Sequence, residues 1–392
     1  MTRNDSGERR AIVVGAGIAG LAAAMRLHRA GWQVLIAERA PARRSSGYML
    51  NLVGGGYDAA ERLGILPALA ERDLGLFTSI LVKADGTPKL TVPAAVVAAA
   101  VGPRAISVFR GDLESVLYEA VRDTAEFRFG TTVEAVEQDG DGVTVALSDG
   151  TTERAELLLG ADGLHSGVRR LLFGPEPEHR VDLHHMVGAF PLRRTPREPA
   201  EGSGTTFIGP RRTAAVVNLG PDRSSAFFAY RAADPESELE RGPARALAEA
   251  FGDLGGGVPE ALAGLRDDPG GAYFDSVSQI VMDGWSRGRV ALLGDAAWCV
   301  TLFAGYGAAL ALAGADRLGA ALERHGDVAA ALADWEAELR PEVRKRQALA
   351  RRGIAQFAPP TRAHIWMNEL TMRAIRLPGL RQLVQRSVRS AR

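Results

Sequence analysis

The chain has 392 residues, and its 47 Lys and Arg balance 47 Asp and Glu, so its formal net charge is zero. A balanced chain has no global charge field that recruits nucleic acid or a membrane, and we expect no nucleic-acid partner. Cys299 is the only cysteine, which excludes an internal disulfide and a Cys-based metal cluster. Residues 1–10 are polar and no apolar run has the length of a membrane span, so the sequence predicts a cytoplasmic protein without a metal site.

The first predicted strand leads through a glycine-rich turn into an alanine-rich helix. Residues 11–14 are all apolar, and Gly15, Gly17 and Gly20 follow as a GxGxxG pattern. In dinucleotide-binding folds the first glycine permits the turn, the second admits a pyrophosphate, and the third lets the helix pack on the strand. The next strand ends at Glu38, where a carboxylate meets ribose hydroxyls. The pattern alone also occurs where nothing binds, but its context here predicts a dinucleotide site.

The segment after this acidic strand end has loop composition. Arg43 and Arg44 within it either reach a phosphate or face solvent. Helical spacing over 57–72 follows, broken at Pro67. Two β-rich runs joined by a polar turn then predict a hairpin near 78–106, which we expect on the substrate side.

A helix with an apolar stripe begins near Arg110. Asp112 fits an N-cap, and the stripe consists of Leu113, Val116, Leu117 and Val121. This spacing places Arg110 at the mouth of an inward-facing helix, where it can meet an anion. A surface arginine before a helix fits the same spacing.

An apolar strand at 156–159 ends in Gly-Ala-Asp-Gly, with Asp162 as its acidic residue. Two strands before it, 132–138 and 142–147, form a hairpin. A strand that ends in this way places Asp162 at the carboxyl edge of a parallel sheet, where doubly wound folds bind ligands. Alternatively Asp162 caps the helix that begins near Ser166, and the two roles are compatible.

From about 175 to 284 the sequence changes to short apolar strands separated by Pro, Arg and Gly turns. The absence of helical crossovers predicts an antiparallel sheet that forms a second domain. A sheet face laid against the first domain is a natural wall for an apolar substrate. Its aromatic residues fit a core better than a ligand contact: Phe207, Phe227, Phe228 and Tyr230.

The chain returns to the first domain with a strand that ends in Gly294 and Asp295, followed by a second glycine turn at Gly305 and Gly307. The helix after this turn presents its N-terminus to a negative charge or an electron-rich ring. The remaining sequence predicts helices, and after Pro341 it has twelve Lys and Arg against two Glu. This excess of positive charge belongs either to a solvated helix face or to a contact with an acidic protein, an anionic surface or a dimer partner. The sequence is therefore consistent with a monomer and with a homodimer.

These motifs, in this order and spacing, resemble those of the single-component (class A) FAD-dependent monooxygenases of the para-hydroxybenzoate hydroxylase type. The resemblance is to the shorter members, which include the tetracycline-inactivating and aromatic-polyketide hydroxylases. The resemblance implies an α/β fold with a Rossmann-like FAD-binding domain of the para-hydroxybenzoate hydroxylase (GR2) type, residues 1–174 and 285–325. It further implies an inserted antiparallel β-sheet substrate domain, 175–284, and a C-terminal helical region, 326–392.

The resemblance also implies which residues contact the cofactor. The first glycine turn would hold the FAD pyrophosphate, Glu38 the ribose, and Arg110 the pyrophosphate and ribityl chain. Val133 would meet adenine through its backbone, Asp295 would bind the ribityl region, and Asp162 matches a motif linked to both FAD and NAD(P)H. The complete expected set is Gly15, Ala16, Gly17, Ile18, Ala19, Gly20, Glu38, Arg39, Arg110, Leu113, Val133, Asp162, Gly294, Asp295, Gly305, Gly307 and Ala308.

For activity, the resemblance implies that NADPH or NADH reduces FAD and that O2 then gives a flavin C4a-hydroperoxide. An aromatic or polycyclic small molecule would be hydroxylated, in secondary metabolism or xenobiotic inactivation. The family has no separate nicotinamide domain, and none is visible in the sequence. Two alternatives are a related flavin oxidoreductase that inserts no oxygen and a non-catalytic flavin-binding protein.

The sequence departs from the family pattern beside the expected flavin ring. Relatives usually have proline at the position of Leu302 and often glutamine at that of Tyr306. Because proline fixes φ and lacks an N–H, Leu302 is the feature that favours the oxygen-free alternative. The catalytic group stays unknown, and the suspected flavin-proximal residues are Leu302, Phe303 and Tyr306. The acid–base candidates by chemistry are His165, His184 and His185, although a lone histidine is more often structural.

Overall fold

The computed structural model describes residues 9–43, 48–301, 305–366 and 370. Its strands are β1 Arg10–Val14, β2 Gln33–Glu38, β3 Met49–Val53, β4 Thr78–Val82, β5 Pro88–Val92, β6 Ala105–Phe109, β7 Ala125–Phe129, β8 Val133–Gln138, β9 Val143–Leu147, β10 Thr152–Ala155, β11 Leu157–Gly160, β12 Arg180–Leu192, β13 Ser203–Gly209, β14 Arg212–Asn218, β15 Ser224–Arg231, β16 Tyr273–Ile280, β17 Ser286–Arg287 and β18 Val290–Leu292. Its helices are α1 Ile18–Arg29, α2 Gly55–Arg62, α3 Leu66–Ala70, α4 Ala94–Val101, α5 Arg110–Val121, α6 Gly167–Leu172, α7 Glu176–His179, α8 Pro235–Arg241, α9 Pro243–Phe251, α10 Val258–Asp267, α11 Asp295–Trp298, α12 Gly307–Arg324 and α13 Val328–Phe357.

The central sheet has the strand order β17–β18–β11–β1–β2–β7, and its pairs are parallel except β17 with β18. Strands β1, β11 and β18 are apolar and almost entirely buried, as expected of strands covered on both faces. Their carboxyl ends lead into the first glycine turn, Asp162 and Asp295 respectively, and β2 ends at Glu38 beside them. The motifs therefore share one edge of the sheet, and the predicted α/β fold class is confirmed.

The second sheet has the order β16–β12–β15–β14–β13–β4–β5. Its pairs are antiparallel, as predicted, except β4 with β13, which run parallel. The hairpin β4–β5 comes from an earlier part of the chain than the other strands, so no tight turn has to join this pair and a parallel arrangement is permitted. One face packs on α9 and α10 through a core that includes Phe228, Leu247 and Phe251.

Helix α13 links the two sheets. Near its start, Trp335 packs with Trp285 and Trp298 at centroid distances of 5.8 to 6.1 Å and donates from Nε1 to the Gly314 carbonyl at 2.9 Å. At its other end, Ile354 packs with Phe357 against buried residues of the second sheet. The helix thus contacts both sides of the cleft between the sheets.

Two smaller sheets, β8–β9–β10 and β3–β6, complete the fold. The predicted helix over 57–72 is two helices, and its break was misplaced. The interruption lies at Leu63–Ile65, while Pro67 stands in the first turn of α3, where the missing N–H costs no helical hydrogen bond. In the described ranges, we find no helix with the length and apolar character needed to cross a membrane.

Candidate active site

The turn after β1 requires glycine at two positions for reasons internal to the chain. Gly15 has φ +102°, and a Cβ there would lie 2.5 Å from the Ala161 carbonyl oxygen. A Cβ on Gly20 would lie 1.9 Å from the Gly15 carbonyl oxygen, so α1 packs on its strand only without that side chain. Gly17 differs, because its φ is −81° and the nearest atom to an added Cβ would be Glu114 Oε1 at 3.6 Å. No described part of the chain needs glycine at position 17.

The N-terminus of α1 is open to an anion. Gly17 is the N-cap, and the first turn holds Ile18, Ala19 and Gly20 without an acidic residue. The N–H groups of a first helical turn have no acceptor inside the helix, and the helix dipole favours negative charge there. These N–H groups are donors of the kind that the predicted pyrophosphate would need.

Glu38 braces the glycine turn from the end of β2. Its Oε2 accepts from the Ala16 N–H at 2.7 Å and its Oε1 from the Ala40 N–H at 2.8 Å. Its backbone carbonyl accepts from the Thr131 N–H at 3.0 Å, which brings the buried Val133 close to the same strand end. Each carboxylate oxygen keeps lone-pair capacity for a ribose hydroxyl.

The basic residues near Glu38 differ in how they are held. Arg39 is exposed. Arg43 donates to Ser115 Oγ at 2.8 Å and stacks over the Tyr118 ring at 4.1 Å, so α5 holds its guanidinium. Arg44 lies outside the described residues.

Arg110 is the first residue of α5, so the prediction that Asp112 caps this helix is wrong. Phe109 is the N-cap, and Asp112 lies in the first turn. Arg110 Nη2 pairs with Glu114 Oε1 at 2.6 Å, one turn further along. Burial raises the pKa of Glu114, although Arg110 opposes this. Leu113 is fully buried, so its side chain supports the helix from behind.

Ser166 is the N-cap of helix α6, and Asp162 assists it by accepting from the first N–H groups of the helix. Asp162 Oδ1 accepts from Ser166 Oγ at 2.5 Å, and its Oδ2 accepts from the N–H groups of Gly167 and Val168 at 2.7 and 3.1 Å. Arg169, fully buried on the same helix, donates to the Ala296 carbonyl at 2.9 Å. The capping alternative for Asp162 thus holds, and the motif braces α11 through Arg169.

Asp295 lies where the two glycine turns meet. Its carboxylate is open to a cavity yet surrounded by protein, and burial raises its pKa although Arg110 opposes this. A Cβ on Gly307 would lie 3.9 Å from Asp295 Oδ1, so α12 begins beside the carboxylate, with Ala308 as its second residue. A Cβ on Gly294 would lie 2.8 Å from the Ala19 Cβ, so the turn before Asp295 packs closely against the first turn of α1.

Tyr48 and Tyr273 meet across the cavity with ring centroids 5.4 Å apart. Burial raises the pKa of Tyr48 to about 12 and that of Tyr273 well above its usual value, so both hydroxyls stay protonated at neutral pH. Asp295 and Cys299 contribute to both shifts. Tyr273 is 38% accessible and Asp295 is exposed, so these groups line one cavity that solvent can enter.

The residues that flank 302–304 have unusual backbone conformations. Thr301 is buried with φ +86°, and its hydroxyl finds no hydrogen-bond partner within the described ranges. A β-branched residue at positive φ costs roughly 1–3 kcal/mol and persists only where its surroundings enforce it. Gly305 has φ +61°, and Tyr306 forms the N-cap of α12. The flavin-proximal candidates Leu302 and Phe303 lie outside the described residues.

The histidine candidates differ in surroundings. His165 Nδ1 lies 3.0 Å from Glu176 Oε1, and Nε2 lies 3.6 Å from Asp275 Oδ2. The bond to Asp275 is the main cause that raises the pKa of His165. His184 is exposed, whereas burial lowers the pKa of His185.

The face of the second sheet that meets Tyr48 is mostly apolar. Directly paired residues share a face, so this face carries Val187, Ala189, Thr206, Ile208, Thr213, Ala215, Phe227 and Ala229 in addition to Tyr273 and Asp275, whose carboxylate is the only one among these residues. Of the predicted core aromatics, Phe228 and Tyr230 lie in the opposite core, and Phe207 packs against it. Phe227 is half-buried on the face away from that core, where it packs against the buried cluster of Val187, Ala229 and Val277 and lies 6.4 Å from the Phe357 ring.

The sequence interpretation missed four residues at this site: Tyr48, Glu114, Tyr273 and Asp275. Alternation along β16 was an available signal, because Tyr273, Asp275 and Val277 recur every second residue. Tyr48 gave no such signal, since its place depends on how the chain folds back before β3.

A comparison with known proteins gives the family. Residues 8–329 match the family described as FAD binding domain. The FAD-dependent monooxygenase asL4 of Sarocladium schorii is 31% identical over 332 residues, which cover 81% of this chain and 76% of asL4.

Solved structures agree. Tetracycline destructase Tet(51) is 28% identical, with a TM-score of 0.77 over 93% of this chain and 96% of its own. HpxO of Klebsiella pneumoniae, complexed with FAD and uric acid, is 27% identical, with a TM-score of 0.75 over 93% of each chain.

Proposed function

Because the chain belongs to the FAD binding domain family, as a class A flavoprotein monooxygenase of the para-hydroxybenzoate hydroxylase type, we propose that it hydroxylates an aromatic or polycyclic small molecule with O2 and NADPH or NADH. The relatives support this substrate class. One is named for destroying tetracycline, and another is complexed with uric acid, so both concern ring compounds.

The residues present fit FAD as an extended ligand. The main support for the proposal is the glycine at position 17. No described contact requires glycine there, and the lack of a side chain leaves room beside Arg110 and the N-terminus of α1. These groups supply donors for a pyrophosphate, and Asp295 supplies an open acceptor further along the cavity. Glu38 and Val133 would hold the adenosine half. Leu113 and Asp162, both engaged inside the protein, would support the site from behind.

When bound, FAD supplies the redox and oxygen chemistry. The chain contributes electrostatics, orientation and exclusion of water. The N-terminus of α12, from Gly305 to Ala308, stabilises negative charge placed beside it. The protonated hydroxyls of Tyr48 and Tyr273 can donate to an oxygen of the substrate. The apolar face of the second sheet keeps water from the substrate position.

The proposal is tested by reconstitution and isotope labelling. The purified protein should take up FAD, oxidise NADPH or NADH faster with an accepted aromatic substrate, and transfer one atom of labelled dioxygen to the product. Failure to take up FAD would overturn the scheme. Efficient FAD uptake without nicotinamide oxidation, across candidate substrates, would instead indicate a non-catalytic flavin-binding protein.

Leu302 favours a second candidate, a flavin oxidoreductase that inserts no oxygen. It stands where relatives usually have proline, directly after the strained Thr301. This candidate predicts that NAD(P)H oxidation yields hydrogen peroxide or a dehydrogenated product without labelled oxygen. If Leu302 causes that outcome, Leu302→Pro should increase the labelled product per nicotinamide oxidised. An unchanged ratio would show that Leu302 is not responsible.

A further inference from the structure

Two buried glutamine side chains meet beside the segment that continues from Asp295. Gln279 is fully buried on β16, and Gln347 is 5% exposed on α13. Gln279 Nε2 donates to the carbonyls of Val300 and Gln347 at 3.2 and 3.0 Å. Gln347 Nε2 donates to the Ile280 carbonyl at 2.7 Å and lies 3.5 Å from the carbonyl of Cys299. The two amides thus tie α13 and β16 to one loop segment.

The side-chain amide of Gln279 is hydrogen-bonded through both its oxygen and its nitrogen. Its Oε1 accepts from Arg351 Nε at 2.7 Å, while its two N–H bonds point at carbonyls. Carbonyl neighbours fix which end of each amide is the donor. A buried network with satisfied members rigidifies its surroundings, whereas losing one member leaves costly unpaired groups.

The segment held in this way is connected to the cavity. The Cys299 carbonyl also accepts from the Ile280 N–H at 3.1 Å, and its thiol donates to the Ser278 carbonyl at 3.5 Å. Cys299 directly follows α11, the one-turn helix that begins at Asp295. The neighbouring residue of α13, Arg346, places its guanidinium 3.6 Å over the ring of Tyr306, the N-cap of α12. A short stretch of α13 therefore contacts the chain on both sides of residues 302–304.

We propose that Gln279 and Gln347 are positioning residues for the cofactor. Acting through the carbonyls of Cys299 and Val300, they hold Asp295 in the orientation that binds the ribityl region. This inference rests on the proposed function, since it assigns the glutamines a role toward FAD.

Neighbouring arginines on α13 provide a matched pair for the test. Both Arg351 and Arg352 are exposed on the same helix, but Arg351 donates to Gln279. The variants are Gln347→Met, which removes the amide donors at similar volume, Arg351→Ala as a milder change, and Arg352→Ala as the control. The readouts are the Kd for FAD, hydrogen exchange of residues 295–301 in the apoprotein, and the melting temperature.

We expect Gln347→Met to weaken FAD binding about tenfold and Arg351→Ala about threefold, since each leaves a buried group unpaired. Both should speed exchange of 295–301, and Arg352→Ala should match the wild type. Faster exchange with an unchanged Kd would overturn the proposal, because the glutamines would then serve the fold alone. Equal Kd values for Arg351→Ala and Arg352→Ala would also overturn it, even if Gln347→Met fails to fold. A wild-type protein that takes up no FAD would instead overturn the proposed function.

Discussion

The two ends of the proposed FAD site are built differently. At the first end, Gly15, Gly20 and Glu38 each satisfy a contact within the chain, through backbone packing or backbone N–H groups. At the second end, burial raises the pKa of the Asp295 carboxylate, and Thr301 has a strained backbone. Groups whose burial or backbone strain destabilises the fold are typical of sites that act on a ligand. The first end is thus mainly a scaffold. The second end contains groups that lower the stability of the fold, and it lies where the reaction is proposed.

The largest expected effect is that of Gly20→Ala at the scaffold end. The new Cβ would lie 1.9 Å from a backbone oxygen that no side-chain movement can relieve, so we expect unfolding to become easier by about 3 kcal/mol or more. Gly264→Ala is the control, because it lies inside α10 with no atom within 4 Å and should gain roughly 0.5–1 kcal/mol. Urea denaturation measures both. Equal stabilities would contradict the packing argument.

Gly17→Ala separates ligand space from scaffold within the same turn. A Cβ there meets its nearest atom at 3.6 Å, so the apoprotein should keep its stability within about 0.5 kcal/mol. FAD affinity should fall by about tenfold or more, because the methyl group would occupy space that the cofactor needs. A tenfold fall corresponds to about 1.4 kcal/mol of binding free energy. Titration of the apoprotein with FAD measures this. Wild-type affinity would mean that the pyrophosphate does not approach Gly17.

Asp295→Asn tests the electrostatic cost at the second end. Because burial raises the pKa of Asp295, the native state binds more protons than the unfolded chain between pH 3.8 and the raised pKa. This contribution to stability therefore falls as pH rises through that window. The stability of the variant relative to the wild-type apoprotein should accordingly increase from pH 3.8 until the pH passes the raised pKa of Asp295. A pH-independent difference would show that the carboxylate is well solvated.

The smallest effect is expected from Thr301→Gly. Glycine removes the strain of φ +86° but adds entropy to the unfolded chain, so apoprotein stability should rise by no more than about 1 kcal/mol. Thermal unfolding of the apoprotein measures this gain. A loss of stability would mean that the threonine side chain makes a contact worth more than the strain.

The sequence was sufficient for the scaffold end because its signals are local. Strand, glycine turn and acidic strand end follow one another within about thirty residues, and each has one physical reason. The shared sheet edge of the glycine turn, Asp162 and Asp295 also follows from parallel strand ends. Local patterns failed for Asp112, since several residues near Arg110 can begin a helix and only packing selects Phe109 as the cap.

The second end depends on contacts between distant parts of the chain. Tyr48, just before β3, contacts Tyr273 on β16, more than two hundred residues further along the chain. Gln279 on β16 likewise hydrogen-bonds Gln347 on α13. No spacing in the sequence reports such pairs. The parallel pairing of β4 with β13 has the same origin, because it joins separate passages of the chain.

The cluster of Trp285, Trp298 and Trp335 gives the protein an internal optical reporter. These rings lie in mutual contact in the core, and Trp298 directly precedes Cys299 beside the proposed ring end. Tryptophan emission overlaps flavin absorption, so bound cofactor would quench this cluster by energy transfer. Trp32 lies against Arg9, and Trp366 is 63% exposed. The surroundings of these two tryptophans, and therefore their emission, differ from those of the cluster. Cofactor occupancy can therefore be followed in the unlabelled protein, at the end of the site where occupancy matters most.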